Sequence, residues 1–225
     1  LNPRWLVRDV VGEPLKAHGI TARGDAYQDA VAEALEMVGL ADDDLYKYPH
    51  EFSGGLRQRI AIARALVLKP DLIALDEPTS AIDVVSQHQI LLMLQDLKER
   101  LGLTYVLVSH DLSVVSYLAT KIAVMYCGRM VEYGPTSDVF ADRLHPYTQA
   151  LLESVPDPKA SGIASLAALP GEVASALSPP DGCRFHPRCA RAMDVCSQKE
   201  PPRVDGPTEG HYAFCWLSAE GQANG

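Results

Sequence analysis

Two short runs and one histidine carry the residue types and spacings that could do chemistry. In Glu51-Phe52-Ser53-Gly54-Gly55-Leu56-Arg57-Gln58-Arg59, Ser53 offers a hydroxyl next to two glycines. Glycines let a main chain approach an anion closely, and helix N-termini present unpaired N–H groups with partial positive charge. Asp76 and Glu77 close the run Leu72-Ile73-Ala74-Leu75-Asp76-Glu77-Pro78. One carboxylate could hold the water shell of a magnesium ion while its neighbour orients or deprotonates an attacking water. His110, in Val108-Ser109-His110-Asp111, could touch a terminal phosphate. Each has an ordinary alternative: Ser53 as a helix cap, the acidic pair as a cap on the turn Pro78-Thr79-Ser80, His110 as a solvated bystander. Their order and spacing along one chain favour a shared chemistry, phosphoryl transfer to water.

The elements that must position them are legible from apolar periodicity. Residues from Leu1 to about Tyr48 read as helical, with Ala30, Val31, Ala34, Leu35 and Val38 as one stripe that Gly39 stops. Ser53 is a good N-cap for a helix from about Gly54 to Leu68, with Leu56, Ile60, Ala63 and Val67 on one side and Pro70 at its end. Leu72 to Leu75 suits a strand buried on both faces of a parallel sheet. A helix with Ile90, Leu94, Leu97 and Leu101 inward, a strand over Thr104 to Val108 and a helix over Asp111 to Ala119 follow, an alternation that signals an α/β sheet. Ile122–Tyr126 and Met130–Tyr133 read as a hairpin around Cys127-Gly128-Arg129. His145-Pro146-Tyr147 opens a helix to about Ser154, and beyond Pro156 the composition predicts a loop-dominated tail.

Composition bounds the partners. The chain has 225 residues and a formal charge of −9, which argues against a nucleic-acid partner because phosphate binding needs a basic face. No apolar run reaches the length of a membrane span, and with Arg4, Arg8 and Asp9 among the first residues no signal peptide is expected there. Leu1 in place of methionine points to a chain that begins partway through a longer protein, and a cytosolic location is expected. Four of five cysteines (Cys183, Cys189, Cys196 and Cys215) crowd into the last stretch, a clustering that suits a metal site, either tetrahedral zinc or an iron–sulfur cluster. Cys127 reads as a packing residue.

Phe52-Ser53-Gly54-Gly55-Leu56-Arg57-Gln58-Arg59 resembles the signature of ABC-type ATPases, Leu72–Glu77 their Walker B strand, Ser80-Ala81-Ile82-Asp83 their D-loop and His110 their switch histidine. Leu1-Asn2-Pro3-Arg4, His145 to Leu152, and Gly171-Glu172 through Cys183 are similar to the oligopeptide/dipeptide importer subfamily. Leu56 departs from the usual Gln and Ile82 from the usual Leu. No lysine follows a glycine, so the Gly-Lys-Ser/Thr phosphate loop is absent from these residues.

The resemblance implies an α/β fold, a partial P-loop NTPase with a helical subdomain (1–52), the second half of the ATPase core (53–143) and a C-terminal region with the cysteine cluster (144–225). It implies an ATPase that energises uptake of di- or oligopeptides from the cytoplasmic face of the membrane, with ATP and Mg²⁺ as cofactors. Glu77 would be the catalytic base, with His110 beside it and Asp76 holding magnesium through water. Ser53, Gly54, Gly55, Arg57, Gln58 and Asp83 would address ATP held by a second ATPase subunit in a head-to-tail dimer, a heterodimer by this subfamily's habit. Two membrane permeases and, indirectly, an extracytoplasmic peptide-binding protein complete the expected partners. For the cysteines the resemblance implies a [4Fe–4S] cluster, with zinc the alternative. Competing readings are a non-transport ABC ATPase and a truncated remnant without catalysis.

Overall fold

Leu72 pairs with Thr104 and Asp76 with Val108, so that strands β1 (Leu72–Asp76) and β2 (Thr104–Val108) run parallel and end side by side. This pairing organises the first of two units in the computed structural model, which describes residues 1–20, 25–154, 174–175 and 177–223. The units are Leu1–Leu118 and Ala119–Gly225. The part of the subfamily match at Gly171-Glu172 lies outside the described residues.

In the first unit the N-terminal helical region is two helices, α1 (Val7–Ala17) and α2 (Asp25–Met37), and not one run. Gly19 takes φ +64 after α1, a left-handed turn that glycine makes without steric cost. The α2 stripe is as the periodicity predicts, with Val31, Ala34, Leu35 and Val38 buried. α3 (Gly54–Leu66) packs on both, and its stripe of Ile60, Ala63 and Val67 joins the same core; Leu56, one turn earlier, is instead exposed. α4 (Val84–Leu101) buries Ile90, Leu94 and Leu97 and stops at Gly102, φ +66; Leu101 falls outside the buried face. α5 (Leu112–Leu118) closes the unit.

The expectation of a strand buried on both faces is corrected. β1 alternates, with Ile73 and Leu75 in the helix-covered core and Leu72, Ala74 and Asp76 outward. Ala74 is paired with Val106, and the outward face exposes Leu72 at 53%, Val106 at 51% and Val108 at 56%. An all-apolar strand sequence reports capacity for two-sided burial; which faces are covered depends on the layers packed against it.

The second unit is built on a four-stranded antiparallel sheet in the order β3-β4-β6-β5. β3 (Lys121–Tyr126) and β4 (Arg129–Pro135) form the expected hairpin, with Cys127 at φ +45 and Gly128 at φ +75 as its two-residue turn. Two positive φ values match the primed turns whose twist suits paired strands. α6 (Thr136–Ala141) and α7 (Pro146–Glu153) follow, with the His145 ring capping α7 by accepting Tyr147 N–H at 3.0 Å. The tail is more regular than its composition predicts. β5 (Arg203–Asp205) and β6 (Tyr212–Phe214) are three residues each, too short to stand alone, and gain order as β6 pairs onto β4 and β5 onto β6, before α8 (Trp216–Ala223).

A polar network lies in the interior of this unit. Glu132 on β4 and His211 just before β6 are fully buried; the Glu132 carboxylate accepts Leu144 N–H, His145 N–H and His211 Nε2, each at 2.9 Å. Three donors offset much of the desolvation of a buried carboxylate. The approach of His211 is close enough that a Cβ on Gly134 would meet its ring at 2.8 Å, so a larger residue here would have to displace the buried ring.

Candidate active site

Both backbone and side chain bring Glu77 to His110. Glu77 N–H donates to Val108 C=O at 2.9 Å, extending the ladder one residue past β1, and Glu77 then turns at φ +48. A non-glycine residue in the left-handed region is costly and tends to mark a functional turn. The turn aims the carboxylate across the strand ends. Oε1 accepts His110 N–H at 3.2 Å and lies 2.7 Å from His110 Nδ1. Glu77 is one-third exposed and His110 is open to solvent, at 33% and 81% of side-chain surface. The Glu77 hydrogen bond, reinforced by its charge, raises the His110 pKa above the ordinary 6.5. Asp76, the last residue of β1, is exposed beside them.

The signature turn has its own geometry. Ser53 Oγ accepts Leu56 N–H at 3.3 Å as the N-cap of α3. A Cβ on Gly54 would come within 3.1 Å of Ile82 Cγ2, and one on Gly55 within 2.8 Å of Ser86 Cβ and Oγ. Gly55 therefore packs too closely on the start of α4 for a side chain to fit without a shift, and Gly54 packs tightly against Ile82 of the Ser80–Asp83 loop. Asp83 caps α4, accepting Ser86 N–H at 2.9 Å and Ser86 Oγ at 2.7 Å, and these bonds hold its carboxyl below the usual range. Arg57 donates to Phe52 C=O at 3.1 Å. Arg59 ties α2 to α3, donating to Val38 C=O at 2.9 Å.

The Ser80–Asp83 loop links the two groups. Ser80 N–H and Oγ both donate to Glu77 C=O, at 3.2 and 3.1 Å. Among the described residues no hydrogen bond joins Ser53, Gly54 or Gly55 directly to Glu77 or His110. Sequence reading did not single out Gln87, whose side-chain amide donates to Thr79 C=O at 3.0 Å and Ile82 C=O at 3.3 Å. A glutamine one turn into a helix gives no distinguishing signal.

The C-terminal thiols are neighbours. Cys183 N–H donates to Cys196 C=O at 2.8 Å, and Cys196 Sγ accepts Met193 N–H at 3.5 Å. Burial raises the thiol pKa of both Cys183 and Cys189, and the charges of Cys196 and Cys215 add to it in each case. Cys127 packs in the small core with Cys183 and Cys189, its Sγ 3.1 Å from Ala174 C=O. Among the described residues no three His, Cys, Asp or Glu side chains converge on a position for a metal ion.

Residues 2–80 match the ABC transporter family model, and residues 131–196 match the model described as oligopeptide/dipeptide transporter, C-terminal region. A Brucella ovis protein named for ATP binding in peptide import is 42% identical over 215 residues, covering 96% of this chain and 67% of that protein. The chain belongs to the ABC transporter ATP-binding family. A Brucella abortus protein similarly named is 46% identical over 210 residues, and the chain spans 62% of its length. A solved metal-chelate type ABC transporter in an inward-facing conformation overlays 68% of this chain and 59% of its own with a TM-score of 0.58 and 28% identity. The strand ends that carry Glu77 and His110 therefore belong to an ABC-type α/β fold, and among the described residues no helix is long and apolar enough to cross a membrane.

Proposed function

We propose that this ABC-family chain supplies the hydrolytic acid–base pair and the signature turn of an ATPase that energises import of di- or oligopeptides. The observation that carries the reading is the Glu77–His110 pair at the carboxyl ends of two parallel strands, where open α/β sheets place ligands. Glu77 holds one oxygen on His110 and keeps its second oxygen for an attacking water. A carboxylate fixed by two N–H groups is oriented before substrate arrives, which lowers the cost of reaching the reactive geometry. His110, whose charged form Glu77 favours, offers its other ring nitrogen toward a terminal phosphate. Asp76, a hard oxygen donor exposed beside Glu77, fits magnesium held through water, and the ion would neutralise charge on the phosphates.

Ser53, Gly54, Gly55, Arg57 and Gln58 would face ATP bound by a second ATPase subunit in a head-to-tail dimer, with Asp83 contacting the same partner. The peptide class rests on the match of residues 131–196 and on the names of the relatives. Two permeases would hold the dimer at the cytoplasmic face of the membrane. The decisive experiment is ATP hydrolysis by the full-length protein with and without Glu77→Gln. A fall in turnover of ~10²–10⁴ fits loss of a general base; equal rates would remove Glu77 from that role.

For Cys183, Cys189, Cys196 and Cys215 we propose a [4Fe–4S] cluster with a structural role. Soft thiols are suitable donors for such a cluster, and bound metal cations would relieve the charge of Cys196 and Cys215 felt by Cys183 and Cys189. Brown visible absorbance with iron and sulfide in anaerobically purified protein supports the cluster; stoichiometric zinc, or no metal, overturns it.

A further inference from the structure

We infer that Gln87 is a positioning residue for the Glu77–His110 pair, an inference that rests on the hydrolytic reading of that pair. Gln87 stands in the first turn of α4, and its Nε2 divides its two protons between Thr79 C=O at 3.0 Å and Ile82 C=O at 3.3 Å. Those carbonyls bracket the turn Ser80-Ala81, and Ala81 sits at φ +58, a backbone region that alanine adopts only when its surroundings impose it. Thr79 is buried at 4% exposure, which limits the water able to take the amide's place.

The turn in question is the one that seats Glu77. Ser80 gives both its N–H and its hydroxyl to Glu77 C=O, and Glu77 is itself at φ +48 with its carboxylate on His110. Two left-handed non-glycine residues, four apart, are thus held by one short set of bonds. The set starts at the Gln87 amide and ends at the Glu77 carboxylate. The same turn carries Ile82, against which Gly54 packs, so Gln87 also fixes the floor of the signature turn. Without the amide the turn can relax toward ordinary φ values, and the carboxylate follows the backbone that carries it. Gln87 touches neither reacting atom; it acts through Ser80 and Glu77.

The test uses Gln87→Met, of similar length but without donors, and Gln87→Glu, whose charged form faces two carbonyl oxygens and whose protonated form regains one donor. In the full-length protein, Gln87→Met is expected to lower kcat ~10-fold with KM for ATP within about twofold, as misplacement of a reacting group does. Gln87→Glu is expected to recover activity relative to wild type as pH falls, a profile that loss of packing alone would not produce. Hydrogen exchange should accelerate at residues 79–83 and 109–111 and not across α1 and α2. Unchanged kcat, a pH-independent defect in Gln87→Glu, or exchange that rises evenly over the unit would each overturn the inference. Wild-type protein that fails to hydrolyse ATP would instead defeat the reading on which the inference rests.

Discussion

Glu77 Oε1 lies 2.7 Å from His110 Nδ1 and also accepts His110 N–H, so residues 33 positions apart share one carboxylate oxygen. The contact depends on β1 and β2 ending in register and on the left-handed turn at Glu77. It makes the histidine's charge state a reporter of site geometry.

The raised His110 pKa has a definite sign. A partner that favours the imidazolium contributes stability below the unfolded value of 6.5, and that contribution is lost as pH rises through the higher folded value. In a proton NMR titration the His110 midpoint should lie above that of a free histidine. It should fall toward 6.5 in Glu77→Gln, and equal midpoints in the two proteins would contradict the pairing.

His145 behaves in the opposite sense. Burial lowers its pKa from 6.5 to about 4, and its Nδ1 must stay unprotonated to accept Tyr147 N–H. Stability contributed by the neutral ring is present above 6.5 and is lost as pH falls toward 4. The shift corresponds to something on the order of 3 kcal/mol at most. The melting temperature of the second unit should therefore drop between pH 6.5 and 4. His145→Asn, which can cap α7 without titrating in this range, should flatten that drop; a wild-type slope in the variant would remove His145 as its source.

Gly55 faces Ser86 across a gap that holds no Cβ. Gly55→Ala should destabilise the first unit by about 1–3 kcal/mol, the usual cost of overpacking. Ser86→Gly removes the atoms in the way, so the double variant should recover stability beyond the sum of the singles. Additive denaturation midpoints would show that the two positions do not collide.

The outward face of β1 and β2 exposes Leu72, Ala74, Val106 and Val108 in adjacent register. An apolar patch on a sheet with few strands favours association between copies. The 225-residue chain should elute above its monomer mass in size exclusion with light scattering, and Val106→Lys should raise the monomer fraction. A monomeric wild type that melts cooperatively would count against this face being sticky.

Helix existence, the strand pair and the hairpin turn were legible because each leaves a local mark. Ser53 before an apolar repeat, Gly39 after one, and acidic residues closing an apolar run are signals of a few adjacent positions. What the residues face was not legible. Up to Asp76 the sequence of β1 is apolar on its covered and exposed sides alike. Gly54 and Gly55 look like anion-binding glycines but also answer to Ile82 and Ser86, residues about thirty positions away along the chain. Glu132 reads as one charge in a short strand, and only the approach of His211 and the Leu144–His145 backbone makes it the centre of a buried network.

The sequence by itself therefore determined the family, since residue types at short spacings set it. The tertiary structure alone decided that Glu77 and His110 share an oxygen, that Gln87 holds the turn between them and the signature glycines, and that the tail strands complete a sheet. The physical reason is range. Capping and periodicity act over a turn or two of chain, whereas strand register, close packing and the satisfaction of buried polar groups act between residues that only folding brings together.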